Sequence, residues 1–462
     1  MSDTIAAAAT GGAVAAIGII RVSGENALTA ADNIFRSKSG IKLKDAENRR
    51  MYYGELIDSS GTLIDLCLCV VSREPESYTG EDTVEFHCHG SPVVLSEVLR
   101  FLFERGVRQA LPGEFTKRAF LNGRMDLTQA EAVIDLIESE SPVAAHNAAG
   151  QLRGSVGVKM DCAYNRLIDI MSHFHVVIDY PDEDIDDFKA LDYMDELRDI
   201  EGELRRMLDT HDRGRILREG VPTAIIGRPN TGKSSLLNAL LGYDRAIVTE
   251  IAGTTRDTIE EKVLIGNVPL RLIDTAGLRK TNDAIEKLGV EKTLDALSGA
   301  GLVIAVLDGS EPLKHEDYDA LRSIPPDVPR IAVVNKSDLP AALDINELDA
   351  LEIKSCNISA LSGEGFNCLD AEIQKMFPEF TASSATGAPL PGELITNIRQ
   401  AEAISRAAES LKLAALALTA KVTPDAVLTD IEAALTAIGE VTGRIMSESI
   451  ISRIFERFCV GK

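Results

Sequence analysis

Apolar residues in the first part of the chain recur at the spacing of β-strands. Residues 16–22 and 63–71 are mainly apolar runs, and residues 83–88 alternate between apolar and polar side chains. Residues 92–105 have the spacing of a helix. This mixture predicts an α/β domain over residues 1–118.

A helical pattern replaces the strand pattern after Asp126. The run Asp126-Leu127-Thr128-Gln129 resembles the capping box at a helix start. The apolar residues that follow fall on one helical face and are Ala130, Val133, Ile134 and Ile137. Helix is predicted for most of the chain from there to Arg218, which gives a helical domain over residues 119–217.

The helical pattern returns near the C-terminus. Residues 381–392 are small residues and prolines, a composition typical of a linker. Further helices are predicted over 394–418, 424–439 and 441–458. The first of them is rich in alanine and is expected to pack on the helices of 125–215. Residues 381–462 would then complete the helical domain, with residues 218–380 inserted in it.

The inserted segment contains a glycine-rich loop between a predicted strand and a predicted helix. It reads Gly227-Arg228-Pro229-Asn230-Thr231-Gly232-Lys233-Ser234, the pattern G-x-x-x-x-G-K-S. Glycines let the backbone curl so that its N–H groups face phosphate oxygens, and the positive end of the helix adds to the attraction. Lys233 is expected to reach the β- and γ-phosphates, and the Ser234 hydroxyl to bind Mg²⁺. The loop predicts a nucleoside triphosphatase.

Two later motifs are spaced as switch loops that close over a γ-phosphate. Thr255 lies in the run Gly253-Thr254-Thr255-Arg256-Asp257, and its hydroxyl is a second candidate ligand for Mg²⁺. The strand of residues 270–273 leads into Asp274-Thr275-Ala276-Gly277. Asp274 is expected to hold the hydration shell of Mg²⁺, and the Gly277 N–H to sense the γ-phosphate.

Guanine selectivity is predicted by the motif Asn335-Lys336-Ser337-Asp338, which follows the apolar run of residues 331–334. The Asp338 carboxylate can accept hydrogen bonds from both N1–H and N2–H of guanine, a pair that adenine lacks. Residues 356–361 are expected to supply a backbone N–H for guanine O6. The residues predicted to contact GTP are Asn230, Thr231, Gly232, Lys233, Ser234, Ser235, Thr249, Glu250, Ile251, Ala252, Gly253, Thr254, Thr255, Asp274, Thr275, Ala276, Gly277, Asn335, Lys336, Asp338, Ser359, Ala360 and Leu361.

The position after the Asp-Thr-Ala-Gly motif departs from Ras-like switches. Those proteins place a glutamine there to orient the attacking water, whereas this chain has Leu278. Asn230 is a candidate ligand for a monovalent cation that would offset the developing charge. Glu286 is a candidate for orienting the water, although its residue type and position fit a solvent-exposed helix glutamate better.

Composition limits the partners and the compartment. The chain has 462 residues and a formal net charge of −24, so any RNA site must be a local basic patch or be shared with a partner. Seven cysteines without a C-x-x-C pair, together with the absence of a signal-peptide pattern, predict a cytoplasmic protein. No apolar stretch is long enough to predict a membrane span.

His87-Cys88-His89 and the Cys67–Cys69 pair are a weak candidate for zinc, and buried small side chains explain them more simply.

The flanking motifs identify the chain by resemblance. Gly18-Ile19-Ile20-Arg21-Val22-Ser23-Gly24, Tyr78-Thr79-Gly80-Glu81-Asp82, Pro112-Gly113-Glu114-Phe115, residues 118–123 and the closing Cys459-Val460-Gly461-Lys462 are similar to the signatures of the tRNA modification GTPase family MnmE (TrmE). The resemblance covers the whole chain. It implies an α/β multi-domain fold with an N-terminal α/β folate-binding domain, a discontinuous helical domain and an inserted Ras-like P-loop GTPase domain.

The resemblance also implies the reaction and the partners. The family is a homodimer joined through its N-terminal domains, and it works with the FAD- and NADH-using partner MnmG (GidA) in a heterotetramer or larger complex. Together they attach an aminomethyl or carboxymethylaminomethyl group to C5 of the wobble uridine, position 34, of certain tRNAs. The one-carbon donor is a tetrahydrofolate derivative, in the 5,10-methylene or 5-formyl form. GTP hydrolysis is stimulated by K⁺ and driven by pairing of the two GTPase domains.

Several residue roles follow only from the resemblance. Arg21, Glu81 and Lys462 match folate-contacting positions, and Arg124 stands where members commonly have lysine, so that contact depends on a guanidinium in place of an ammonium. Glu286 matches the catalytic glutamate, and Cys459 matches a terminal cysteine of open chemical role. The positions that match K⁺ ligands are Asn230, Thr249, Ile251 and Thr254.

Two other classes of function remain open at this stage. A ribosome-assembly GTPase would share the nucleotide motifs but usually appends a basic RNA-binding module, and the sequence shows none. A folate enzyme acting on a small molecule would use the GTPase domain as a regulator, but no independent catalytic group of residues is visible for it.

Overall fold

The computed structural model describes residues 3–179, 190–243, 261–273, 297, 299–380, 392–420, 422–456 and 458–461. The chain divides into two units. The first is formed by Met1–Ile134, Gln151–Glu201 and Arg406–Lys462, and the second by Asp135–Gly150 and Gly202–Ser405. Among the described residues, no helix is long and apolar enough to cross a membrane.

A seven-stranded mixed sheet forms the N-terminal part of the first unit. Its strands are β1 (Ile5–Ala8), β2 (Ile17–Ser23), β3 (Phe35–Ser37), β4 (Met51–Ile57), β5 (Leu63–Ser72), β6 (Thr83–His89) and β7 (Arg108–Gln109). The order is β3-β4-β5-β6-β2-β1-β7, and every neighbouring pair is antiparallel except β1 with β7. Alternate side chains of these strands, such as Ile20, Val22 and Phe86, are buried in one core with two helices, α1 (Ala27–Asp32) and α2 (Pro92–Phe103).

The sequence prediction for this sheet was correct in its longer strands and incomplete elsewhere. The runs at 16–22, 63–71 and 83–88 are strands; the bounds of the first differ by one residue at both ends, and those of the other two by one residue at the C-terminal end. β1 was missed because Ala6 and Ala7 carry little of the β-branched or aromatic character that marks strands, yet both are buried. The helix predicted to Arg105 ends at Phe103, and Gly106 follows with a φ of 82°.

The helices between residues 114 and 219 belong partly to the first unit and partly to the second. Their bounds are α3 (Glu114–Leu121), α4 (Leu127–Ile137), α5 (Pro142–Leu152), α6 (Ser155–Asp179), α7 (Ala190–Leu208) and α8 (His211–Glu219). The capping box predicted at Asp126 is confirmed, since the Gln129 N–H donates to Asp126 Oδ1 at 2.9 Å and the Asp126 N–H donates to Gln129 Oε1 at 3.0 Å.

A six-stranded sheet forms the centre of the second unit. Its strands are β8 (Val221–Ile226), β9 (Glu261–Ile265), β10 (Val268–Leu272), β11 (Leu302–Asp308), β12 (Arg330–Asn335) and β13 (Lys354–Asn357), in the order β13-β12-β11-β8-β10-β9. All neighbours are parallel except β9 with β10. The central strand β11 is buried along its whole length, as expected for a parallel sheet with helices on both faces. Those helices are α9 (Lys233–Tyr243), α10 (His315–Arg322), α11 (Ile345–Asp349) and α12 (Phe366–Met376).

The three helices predicted for the C-terminal part have different bounds in the structure. They are α13 (Ile398–Thr419), α14 (Pro424–Thr442) and α15 (Glu448–Phe455). The first was predicted to begin at Leu394, but the Leu394 and Gly392 N–H groups donate to Asn147 Oδ1, which holds this backbone outside a helix. The last was predicted to begin at Val441. Gly443, at a φ of 84°, instead ends α14, and α15 starts after a break.

Gly443 and Gly123 offer a matched test of packing in the first unit. Both have a left-handed φ, but a Cβ at Gly443 would lie 2.8 Å from the Phe120 ring and 2.9 Å from Leu127 Cβ, whereas a Cβ at Gly123 meets nothing within 4 Å. We expect Gly123→Ala to cost about 1 kcal/mol of unfolding free energy for the backbone alone. Gly443→Ala should cost roughly 1–3 kcal/mol more, because the core must shift. Thermal unfolding of the two variants measures the difference, and equal losses would contradict the packing described for Gly443.

Candidate functional site

The phosphate loop joins the end of β8 to the start of α9 with the backbone shape its glycines require. Gly227 has a φ of 142°, and a Cβ there would lie 2.3 Å from the Val306 carbonyl oxygen. Gly232 has a φ of 95°, and its Cβ would lie 2.1 Å from Asn335 Nδ2. Asn230 is the non-glycine residue of the loop at positive φ, at 65°. Only glycine fits at 227 and 232, so the spacing of the motif has a steric reason.

Lys233 lies at the first turn of α9 and folds back over the loop. Its ammonium donates to the carbonyl oxygens of Gly227 at 2.7 Å and of Arg228 at 2.8 Å. Burial lowers the pKa of the Lys233 amine. A desolvated ammonium with only neutral carbonyl acceptors is well suited to gain an anionic oxygen, which is the role predicted for it.

Asn335 connects the phosphate loop to the loop predicted to bind guanine. Its side chain is buried at the end of β12. Asn335 Nδ2 donates to the Thr231 carbonyl at 2.9 Å, and Asn335 Oδ1 accepts the Ala360 N–H at 3.0 Å. One amide thereby fixes the distance between the two loops that would hold opposite ends of a nucleotide.

The other residues of the guanine motif are also held by partners from neighbouring strands. Lys336 pairs with Asp308 at the end of β11 at 2.5 Å, and the Ser359 hydroxyl donates to Asp338 Oδ1 at 2.6 Å. Burial raises the pKa of Asp308, but the hydrogen bonds from Lys336 and Ser310 outweigh it and leave that pKa below its ordinary value. Asp338 itself is exposed, and so is Leu361, at 89%. Both are therefore accessible to a base.

The described residues of the predicted nucleotide site come from the carboxyl ends of parallel strands. The phosphate loop follows β8, Asp308 ends β11, Asn335 ends β12, and Ser359 follows β13. Ligands of open α/β sheets bind at this edge. The structure therefore brings together the predicted residues of two motifs separated by about a hundred positions.

Part of the predicted site lies outside the described residues. The switch residues Thr249 to Thr255 and Asp274 to Gly277 belong to this part, as do Leu278 and Glu286. Of the predicted metal ligands, Ser234 and Asn230 are described. Ser234 lies in the first turn of α9 directly after Lys233, where a hydroxyl can bind a cation held by phosphate oxygens. The donor set thus fits a magnesium nucleotide as far as it is described.

Arg21 occupies a half-buried position on the N-terminal sheet. Its Nε donates to Glu85 Oε1 at 2.7 Å, and its guanidinium lies over the rings of Tyr78 at 4.9 Å and Phe115 at 5.6 Å. Arg21 Nη1 is buried and has no hydrogen-bond partner in the part of the chain that the structure describes. An unused buried donor is costly, so this atom fits a ligand acceptor and supports a functional role for Arg21 rather than a surface charge at a strand end.

Glu81 belongs to a charged network that the sequence did not reveal. Glu81 Oε2 accepts from the Ser23 hydroxyl at 2.8 Å and from Arg118 Nη1 at 3.0 Å. Arg118 also pairs with Glu114 and Asp3, and Arg108 pairs with the same two carboxylates. Burial raises the pKa of Glu114, yet the bonds from Arg108, the Leu111 N–H and Arg118 leave it below its ordinary value. Arg118 lies in the family-like run of residues 118–123, but its partners Glu81 and Asp3 lie far away along the chain.

Arg124 and a cavity lie next to Glu81. A Cβ on Gly80 would lie 3.3 Å from Arg124 Cγ, so the aliphatic part of Arg124 covers the turn that carries Glu81. A cavity of about 500 Å³ is bounded by Glu81, Leu111, Pro112, Glu114, Lys117, Arg118, Leu121, Asn122, Ser452, Phe455 and Glu456. The structure thus groups Arg21, Glu81 and Arg124 around the turn of residues 78–81, whereas Lys462 lies outside the described residues.

Cys459 is held against the N-terminal domain rather than on a free tail. Its carbonyl accepts the Gly113 N–H at 3.2 Å, and the next residue, Val460, pairs with Pro112 in an isolated bridge. A Cβ on Gly461 would lie 2.1 Å from the Ala8 carbonyl oxygen. The Cys459 side chain is partly exposed. The Cys459 backbone is therefore fixed at Gly113, in the unit that contains Arg21 and Glu81.

The weak candidate for zinc is not supported by a ligand group. Among the described residues, no three or more His, Cys, Asp or Glu side chains are arranged to hold a metal ion. Cys67, Cys69 and Cys88 are buried in the core of the N-terminal sheet. A hydrogen bond with Cys88 and burial raise the pKa of the Cys67 thiol, which disfavours the thiolate that a metal needs.

Comparisons with known proteins cover the whole chain. The family model "GTP-binding protein TrmE N-terminus" matches residues 4–124, and "MnmE helical domain" matches residues 127–459. Curated relatives named tRNA modification GTPase MnmE are 42% identical in Alkaliphilus metalliredigens, 43% in Symbiobacterium thermophilum and 40% in Clostridioides difficile. Each comparison covers 100% of this chain and 99–100% of the relative. These matches confirm the resemblance and the multi-domain α/β fold class drawn from the sequence.

Asn335→Ala tests the link between the two nucleotide loops. The change removes the donor to Thr231 and the acceptor for Ala360, and leaves buried backbone groups unpaired. We expect GTP to bind roughly 10- to 100-fold more weakly, equivalent to about 1–3 kcal/mol. Titration with a fluorescent GTP analogue measures it. Asn346→Ala, which removes only an exposed bond to Asp344, should leave affinity unchanged. Equal affinities in both variants would exclude a role for the link.

Proposed function

Because the chain belongs to the MnmE family of tRNA modification GTPases, we propose that it hydrolyses GTP in order to modify the wobble uridine of certain tRNAs. The observation that carries this proposal is the Asn335 link, which spaces a phosphate loop and a guanine loop at one edge of a parallel sheet. The family match supplies the tRNA substrate, and the site geometry supports the nucleotide.

The described residues would each bind a different part of GTP. Lys233 would exchange the carbonyl acceptors of the loop for β- and γ-phosphate oxygens. The Asp338 carboxylate would accept the N1–H and N2–H of guanine, held in place by the Ser359 hydroxyl. The Ala360 backbone, tied to Asn335, would lie near guanine O6. The exposed side chain of Leu361, which follows Ser359 and Ala360 in the sequence, would cover the base.

Cations and a glutamate would complete hydrolysis. When bound, Mg²⁺ and K⁺ neutralise charge on the phosphates and on the developing transition state. Ser234 and Thr255 are the proposed Mg²⁺ ligands, and the proposed K⁺ ligands are Asn230, Thr249, Ile251 and Thr254. Glu286 is proposed to orient the attacking water, since Leu278 cannot. Asn230 has a φ of 65° within the phosphate loop, a left-handed conformation that asparagine adopts more readily than most residues.

The N-terminal domain is the proposed site of the one-carbon donor, a tetrahydrofolate derivative. Arg21 offers an unused buried donor between two aromatic rings, which suits a flat polar ligand. Glu81 and Arg124 flank the same turn, and Lys462 is proposed to join them. Cys459 is proposed to act at this site, because its carbonyl accepts the Gly113 N–H just before α3, the helix that carries Arg118. The bound folate would supply the carbon, and these residues would bind and orient it.

The assembly and domain limits are proposed from the family as well. We infer domains at 1–118, 119–217, 218–380 and 381–462, the second and fourth forming one helical domain. A homodimer through the N-terminal domains would act with the FAD-dependent partner MnmG in the cytoplasm. The formal net charge of −24 supports shared binding of tRNA with such a partner, since phosphate binding depends on basic side chains that a chain of this charge has in deficit.

Nucleoside analysis of tRNA from a deletion strain tests the proposed reaction. We expect the C5-substituted wobble uridines to disappear, and to return when the wild-type gene is supplied but not with Lys233→Ala, which lacks the phosphate-loop ammonium. Mass spectrometry of digested tRNA measures them. Unchanged wobble uridines in the deletion strain would refute the tRNA-modifying function while leaving GTP hydrolysis open.

A salt exchange tests the proposed cation site. The GTPase rate should rise at least about tenfold when K⁺ replaces Na⁺, since a tenfold rate corresponds to about 1.4 kcal/mol of transition-state stabilisation. Asn230→Ala should abolish most of that rise. Asn238→Ala, an exposed asparagine of α9, is the matched control and should respond like the wild type. Equal rates in both salts for the wild type would exclude the cation role.

A further inference from the structure

Arg228 is the one cationic side chain of the phosphate loop besides Lys233, and its position excludes the role that its charge first suggests. An arginine in this loop could supply charge to the γ-phosphate in place of a separate arginine finger. Its guanidinium instead faces away from the loop interior. Arg228 Nη2 pairs with Glu311 Oε2 at 2.5 Å, and Arg228 Nε pairs with Asp317 Oδ2 at 3.2 Å.

Glu311 and Asp317 lie in the segment that runs from the end of β11 into α10, and we name Asp308, Glu311 and Asp317 the acidic anchor. Asp308 holds Lys336 of the guanine motif, while Glu311 and Asp317 hold Arg228 of the phosphate loop. Asp308 and Asp317 are buried. A single short segment thus holds one basic residue from each of the two nucleotide-binding motifs.

Asp317 makes the acidic anchor rigid because its side chain both caps α10 and pairs with Arg228. Its Oδ2 accepts the Lys314 N–H at 3.0 Å and so caps the start of α10. The Asp317 side chain is only 2% exposed, and its Oδ1 has no hydrogen-bond partner. A buried carboxylate of this kind depends on its remaining cation, and that cation is Arg228. Arg228 is therefore fixed by the same carboxylate that caps the start of α10.

The backbone of Arg228 holds the inner side of the loop. Its carbonyl accepts from Lys233 Nζ at 2.8 Å and from the Thr231 hydroxyl at 3.1 Å. When Lys233 leaves this carbonyl for a phosphate oxygen, the loop loses an internal bond. The two ion pairs of the Arg228 side chain involve Glu311 and Asp317, which lie outside the loop, so neither pair uses the acceptors that Lys233 would leave.

We propose that Arg228 is a positioning residue for GTP hydrolysis, which fixes the phosphate loop on the acidic anchor while Lys233 changes acceptors. The proposal deepens the proposed function, because it rests on GTP binding at this loop. It assigns Arg228 no contact with phosphate. Its effect should appear in how firmly the nucleotide is held, more than in the chemical step.

Four variants separate positioning from general stability. Arg228→Met removes both ion pairs, and Arg228→Lys restores charge without the planar fork that serves two carboxylates at once. Glu311→Gln weakens one pair mildly. Lys314→Met is the matched control, because Lys314 also pairs with Glu311 at 2.8 Å but does not touch the loop. For each, kcat and KM for GTP, the dissociation rate of a fluorescent GDP analogue and the unfolding temperature are measured.

We expect Arg228→Met to raise the GTP KM and the GDP dissociation rate by roughly tenfold each, a scale set by the loss of a buried charged pair. kcat should change by about threefold or less. Arg228→Lys should fall between wild type and Arg228→Met, Glu311→Gln should shift both constants by about two- to fivefold, and Lys314→Met should match the wild type.

A double variant keeps the test decisive if Arg228→Met folds poorly. Asp317→Asn removes the buried charge that Arg228→Met would leave unpaired, so the combination should regain an unfolding temperature close to that of Asp317→Asn alone. If the double variant is stable and still releases GDP about tenfold faster than Asp317→Asn, positioning is supported. If it is stable and its KM and release rate equal those of Asp317→Asn, the proposal is overturned. Absence of GTP binding by the wild-type protein would instead refute the proposed function itself.

Discussion

The nucleotide site depends on one buried amide that must satisfy two backbones at once. Asn335 has one donor and one acceptor in use, toward Thr231 and Ala360, and its side chain is buried. Because the amide is rigid, the loops cannot drift apart without leaving a buried polar group unpaired, at a cost of about 1–3 kcal/mol. The gap between the loops is therefore set before any nucleotide arrives. Preorganisation of this kind reduces the ordering that binding must otherwise supply.

Much of the second unit could be predicted because its motifs are local. Steric demands at Gly227 and Gly232 are met by glycine in the sequence itself, and β11 is an unbroken apolar run. The N-terminal unit was harder, because its important contacts join distant positions. Arg118 and Glu81 are 37 positions apart, and Arg118 and Asp3 are 115 apart. No local period signals such a network. β1 was missed for a related reason, since its alanines are buried by neighbouring strands and not by their own propensity.

The two sites handle buried charge in different ways. At the nucleotide site, the partners of Lys233 among the described residues are two neutral carbonyls, and burial lowers its pKa, so a cation is held where an anion is proposed to bind. In the N-terminal unit, Arg118 is surrounded by Glu81, Glu114 and Asp3, so its charge is already neutralised. Arg21 lies between these extremes, with one carboxylate partner and one unused donor. The degree to which a cation is already paired therefore distinguishes the residues free to recognise a ligand from those that hold the framework.

The attachment of residues 459–461 to the N-terminal domain has a consequence for biosynthesis. Lys117 donates to Ser452 across 335 positions, and Gly113 and Ala8 contact the residues that follow. At about 5–20 residues per second, the ribosome needs roughly 20 to 70 s to make the intervening chain. During that time the surface around Pro112 and Gly113 has no partner from its own chain. The first domain to emerge is thus among the last to be completed, and the second unit must fold while the first still awaits its final residues.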